Sequence, residues 1–257
     1  MSVSPFSLSN ICLLLITVCL VSYFLFLWRV IMHRTMPVEQ APFKKPVLRF
    51  VSVYAVYFAV ISVLAANQFF AVVTMPPRFV LIFLPLLLII VLLSKADLNR
   101  SLSFLKYVPP VLLIVVQVYR LFIELVFIRF AGEKIIPVEL SIHGRNYDLW
   151  IGVLALPVAA LFVTGNRLAL KAGIAFNVLG LLSLVNIVTI AVPSMPSPFR
   201  VNDMLYLPTY FPGITIVFLA SAAIFLHILS LRQLLSIKET APKGQSIRPT
   251  EDSLLLR

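Results

Sequence analysis

The sequence predicts an all-α, polytopic transmembrane helix bundle of seven spans, with its N-terminus outside and its C-terminus in the cytoplasm. Three observations carry that prediction. Hydrophobic residues fill 61% of the 257 positions, mean hydropathy is +1.03 and only 12% of residues are charged, which is more apolar surface than a water-soluble domain needs. The apolar residues fall into runs, most of them long enough to cross a bilayer. The basic residues, 21 Lys and Arg against 10 Asp and Glu for a net charge of +11, concentrate in alternate loops, as the positive-inside bias requires. They form no basic helix or aromatic–basic module, so the expected partner is the lipid bilayer, not nucleic acid.

The first span, 11–30, has a flank without basic side chains and places Arg29, His33 and Arg34 at its far end. A secretory signal has the reverse arrangement, so this is a retained span that enters from outside. Its two cysteines, Cys12 and Cys19, would sit about 10 Å apart along a helix, too far to bridge each other. They read as buried apolar thiols. A cytoplasmic loop with Arg34, Lys44 and Lys45 against Glu39 leads to span two, 47–70, which carries Asn67 and Gln68 near its outer end. Thr74-Met-Pro-Pro-Arg78 turns the chain because two prolines cannot continue a helix.

Span three, 79–94, is short for a crossing and contains Pro85. Lys95, Arg100 and Lys106 against Asp97 mark a second cytoplasmic loop before span four, 107–130. The outer loop 131–148 has nearly balanced charge, and Tyr147 and Trp150 lie at a membrane interface where span five, 149–164, begins. Pro157 kinks that span. Arg167 and Lys171 make a short basic loop, and span six, 172–192, holds Asn177 toward the inner side and Asn186 toward the outer side. The linker 193–200 is rich in proline and therefore stiff. Tyr206 and Tyr210 precede span seven, 211–231. The transmembrane domain is thus 1–235, and 236–257 is a disordered cytoplasmic tail.

Chemistry concentrates on span four. Gln117, Arg120 and Glu124 are three and four residues apart and share one helix face. A charge at that depth needs a partner, a protein interior or a wet cavity. Asn67, Gln68, Asn186, Arg145, Asn146 and Asp148 fall in the same outer half, and Arg200 lies in the last outer loop. Together these residues suggest an outward-open polar cavity floored by Arg120 and Glu124. There the guanidinium fork would meet a small polar or anionic ligand, to be bound, sensed or passed. The competing reading is an intrahelical Arg120–Glu124 pair with inter-helix amide bonds that fix packing. Asp148 would cap span five, Asn177 and Gly180 would allow close helix approach, and His227 would simply be hydrogen-bonded near the inner end of span seven. An accessory or assembly subunit, whose polar face meets another membrane protein, is the alternative function.

Catalysis finds little support. His33, His143 and His227 are split between the two membrane sides, and no HExxH, CxxC, GxSxG or phosphate-loop pattern occurs. Span seven has no lysine for a retinal Schiff base. No cofactor and no metal are expected, and Glu124 as a general acid or base has no partner nucleophile.

Gln117-x-x-Arg120-x-x-x-Glu124, Gly144-Arg-Asn-x-Asp148, Asn177-x-x-Gly180 with Asn186, and Pro196-x-Pro-Phe199 together resemble a group of uncharacterised multi-pass bacterial integral membrane proteins. The resemblance covers spans four to seven. It implies a bacterial inner-membrane setting and brings no activity, substrate or cofactor.

Overall fold

The computed structural model describes residues 7–34, 44–84, 105 and 107–240. Among these residues there are helices and turns and no strand. Six main helices organise the described residues: α1 (Leu8–Arg34), α2 (Lys44–Ala66), α3 (Pro110–Gly132), α4 (Asp148–Val163), α5 (Ala169–Ala191) and α6 (Thr215–Thr240). Helices α1, α2, α3, α5 and α6 are long and apolar enough to cross a membrane, which suggests a multi-pass membrane protein. Helix α4 has 16 residues, about 24 Å at 1.5 Å per residue, short of a full hydrocarbon core.

Helix α6 is the centre of the bundle. Leu219, Leu226 and Leu234 on it are fully buried, and it packs against α1, α3 and α5. Helix α2 joins it through rings: Phe50 stacks on Phe225, and Tyr54 and Phe58 meet Phe218. Helix α4 lies between α3 and α5. Gly152 makes the α3–α4 contact possible, since a Cβ there would lie 2.6 Å from the Leu121 backbone nitrogen. The outer faces of α1 and α2 show Leu15, Val18, Leu25, Val56 and Val63, as lipid-facing helices do.

Helices α1, α4 and α6 run from the long-loop end to the opposite end, and α2, α3 and α5 run the other way. At the long-loop end, Ser9 Oγ donates to Glu133 Oε1 at 2.8 Å, Tyr210 donates to Asn10 Oδ1 at 2.9 Å, and the Tyr206 N–H reaches the Ile135 carbonyl at 2.9 Å. Burial pushes the Tyr210 phenol above its ordinary range. The turn after α2, Phe69–Ala71, packs here against Leu207–Thr209. At the opposite end, Gln233 Nε2 on α6 donates to the Leu105 and Val108 carbonyls at 2.7 and 2.5 Å, just before α3 begins.

Several expected boundaries shift. Helix α2 stops at Ala66, four residues before the expected 70, because Gln68 takes a left-handed conformation (φ 55°). Helix α3 starts at Pro110, not 107, with proline in the first turn where no N–H is missed. Helix α6 starts at Thr215, beyond Pro212, and continues to Thr240, so the chain is helical well past 231 and into the expected tail. The start of span three is a 3₁₀ turn, Arg78–Phe83; the rest of it (85–94), and the tail beyond 240, lie outside the described residues. The cysteines are free, but only Cys12 is partly buried and Cys19 is exposed on the bundle surface.

Candidate functional site

The site forms where α3, α4, α5 and α6 meet. Arg120, midway along α3, is 1% exposed. Its guanidinium grips Asp148 with two donors, Nε to Oδ2 at 2.7 Å and Nη2 to Oδ1. A bidentate fork of this kind is the strongest geometry for the pair. Ser183 Oγ donates to Asp148 Oδ1 at 2.6 Å and lies 3.4 Å from Arg120 Nη2. On the other side, Arg120 Nη1 meets His227 Nε2 at 2.7 Å.

The proton positions along this network follow from groups that can act in only one way. The Gly173 carbonyl can only accept, so the Asn177 amide nitrogen faces it at 2.8 Å and also donates to Ser230 Oγ at 2.9 Å. Asn177 Oδ1 therefore faces His227 Nδ1, 2.9 Å away, and Nδ1 must carry the proton. Nε2 is then an acceptor, which suits Arg120, a side chain without acceptors. The imidazole is neutral and in one tautomer, assigned from the network. Gly180 makes room for it: a Cβ there would lie 2.2 Å from His227 Cε1 and Nε2.

Glu124 lies one turn further along α3 and is also 1% exposed. Asn146 donates to its Oε1 at 2.6 Å and to the Leu140 carbonyl at 2.8 Å, and Asn146 Oδ1 accepts the Asp148 N–H at 3.0 Å. Glu124 Oε2 is buried with no hydrogen-bond partner among the described residues, as is Gln117 Oε1. Gln117 Nε2 reaches the Ala223 carbonyl at 3.5 Å, where α3 is interrupted by a 3₁₀ turn, Val116–Val118.

The structure thus brings together Gln117, Arg120, Glu124, Asn146 and Asp148 from the sequence-predicted set. Asn67 and Gln68 are exposed at the end of α2, and the Asn67 side chain donates back to the Val63 carbonyl of its own helix at 2.8 Å. Asn186 donates to the Arg145 carbonyl at 2.6 Å and ties the loop above the site to α5. Exposed Arg200 lines a separate cleft. Two expectations need correction. The ion pair is not intrahelical, because Arg120 selects Asp148 across helices. Asp148 is likewise no helix cap: its carboxylate turns inward to Arg120, and its own N–H is held by Asn146.

His227, Asn177, Ser183 and Ser230 complete the network. His227 stands midway along α6 rather than near its inner end. Its signal in the sequence was a polar pair, His227 and Ser230, three residues apart on one face of α6, with Asn177, Gly180 and Ser183 at the same interval on α5. Comparison with known proteins gives no match: no family model fits the sequence, and neither a curated protein nor a solved structure matches it.

Proposed function

We propose that this chain is a multi-pass plasma-membrane protein that binds a small polar ligand at Glu124 and senses or passes it. The single observation that carries this reading is the unpartnered Oε2 of a fully buried carboxyl. Arg120 is already matched in charge by Asp148, so an ionised Glu124 adds a second negative charge with no cation to balance it. Such a group is costly to bury unless something completes it. What completes it brings a hydrogen-bond donor or a positive charge: a small cation, an ammonium group or a hydroxyl. The anion that the Arg120 fork was expected to take is supplied from within the chain by Asp148.

The route leads through the long-loop end. Asn146 is buried between exposed Arg145 and Tyr147 and stands directly over Glu124, so its side chain is the gate. Helix α2 ends at the long-loop end and α3 begins at the opposite end, a parity that supports the odd number of spans read from the sequence. The Lys and Arg distribution then puts the long-loop end outside.

Thermal stability of the purified protein should rise with one member of a panel of sodium, lithium, small primary amines and polyols, and Glu124→Gln should remove that rise. The amide presents a donor where the carboxyl had an open acceptor. A rise of equal size in Glu124→Gln would sink the reading. The second reading, an accessory or assembly subunit, is favoured by the closed Arg120–Asp148–His227 network, which suits a rigid scaffold. It predicts a stoichiometric second polypeptide through purification and no response to the panel.

A further inference from the structure

A cleft of about 540 Å³ opens at the long-loop end, away from the Arg120 network. Its lining is mixed: Ala131, Ile136, Val138 and Met204 supply apolar side chains, Tyr206 a phenol, and Lys134, Arg200 and Asp203 the charges. Neither Lys134 nor Arg200 makes an ion pair among the described residues, so the cleft carries one net positive charge beside its apolar side chains. We propose that it holds the phosphate group of an anionic membrane lipid, with Lys134 and Arg200 on the phosphate and the glycerol and upper acyl carbons against the apolar wall.

Three features point to lipid as the source. First, the cleft sits at head-group depth: Lys134 lies two residues beyond the end of α3, and Arg200 lies beyond the apolar segment that closes at Ser194. Second, Arg200 is bracketed by Phe199 and Val201, which are 68% and 83% exposed. Large apolar side chains this bare, on either side of a cation, suit a loop that rests in the lipid interface. The Pro193 carbonyl, 2.9 Å from the Val201 N–H, closes that loop. Third, Lys134 occupies a left-handed position (φ 56°) in the cap of α3, where the Ile135 N–H returns to the Phe130 carbonyl at 2.8 Å. Glycine is the residue that suits this conformation without strain. A lysine here fixes a cation at the rim of the cleft at a cost in backbone energy, and such outliers gather at binding sites.

The test is native mass spectrometry of the full chain in a neutral maltoside, titrated with dioleoyl phosphatidylglycerol, dioleoyl phosphatidylcholine or inorganic phosphate. The phosphatidylglycerol adduct should dominate, and Lys134→Gln with Arg200→Gln should weaken it at least ~10-fold, since each interfacial cation contributes on the order of 1 kcal/mol. Arg167→Gln with Lys171→Gln removes the same charge from exposed positions at the opposite end and should leave the adduct intact. Equal loss in that control pair would reduce the effect to bulk charge and overturn the site. So would equal binding of the two lipids, or an adduct unchanged in the Lys134/Arg200 pair. Inorganic phosphate bound as tightly as the lipid would refute the role of the apolar wall. The circular dichroism of each variant should match that of the parent protein, so that loss of the adduct is not loss of the fold; a single Arg200→Gln change, in an exposed loop, should give a partial loss.

Discussion

Asp148→Asn isolates the interaction on which the interior depends. The substitution keeps size and shape but removes the charge opposite Arg120, which is 1% exposed and donates two hydrogen bonds to that carboxylate. Arg120 keeps its His227 contact and a long approach to Ser183, neither of which supplies negative charge, and Glu124, one turn along α3, makes no ion pair with it among the described residues. Breaking a buried pair by removing one partner costs about 3–5 kcal/mol, because the remaining charge is left uncompensated. For a domain of this size, roughly 2–4 °C per kcal/mol translates this into a fall of about 6–20 °C in the unfolding midpoint in detergent. Arg120→Met combined with Asp148→Leu should recover most of the loss, since a buried pair can be exchanged for apolar side chains of similar volume. Thermal unfolding of Arg120→Met, Asp148→Leu and the double variant, read as a double-mutant cycle, gives the coupling. A midpoint within about 2 °C of the parent for Asp148→Asn, or coupling below roughly 0.5 kcal/mol, would refute the reasoning.

Gly180→Ala should displace His227, because the new methyl would lie 2.2 Å from the imidazole. The overpacking should cost about 1–3 kcal/mol in thermal unfolding. Gly152→Ala should part α3 from α4, where a Cβ meets backbone at 2.6 Å, and should expose the Arg120–Asp148 pair to hydrogen exchange at α4. Asn177→Leu should cost about 1–3 kcal/mol by leaving the His227 Nδ1–H without an acceptor. A stability change below about 0.5 kcal/mol there would contradict the assigned tautomer.

The organising residue was legible in the sequence because physics singles it out: an arginine within an apolar helix must find a partner. Its actual partner was not legible. Glu124, at four residues, was the local candidate, yet a pair with the basic residue N-terminal to the acid is the weaker order on a helix. Asp148 lies 28 residues away and sits at a helix start, where an aspartate reads locally as a cap. Choosing between those roles required the approach of α4 to α3, which depends on Gly152, a residue with no polar signal of its own. Asn177 and Gly180 were recognised as a site of close packing, but what packs there is His227, on a helix 50 residues further on. The spans read well where runs were long and apolar. They read poorly where proline or a left-handed residue set the boundary, as at Gln68, Pro110 and Pro212.

The central claim is that Glu124 is the open position in an otherwise closed polar interior. The most direct test is native mass spectrometry of the protein extracted gently from its own membrane, beside Glu124→Gln prepared identically. A reproducible small-molecule mass should appear on the parent protein and be absent from Glu124→Gln, with both proteins folded. An adduct that persists in Glu124→Gln, or a parent protein that carries none, would contradict it.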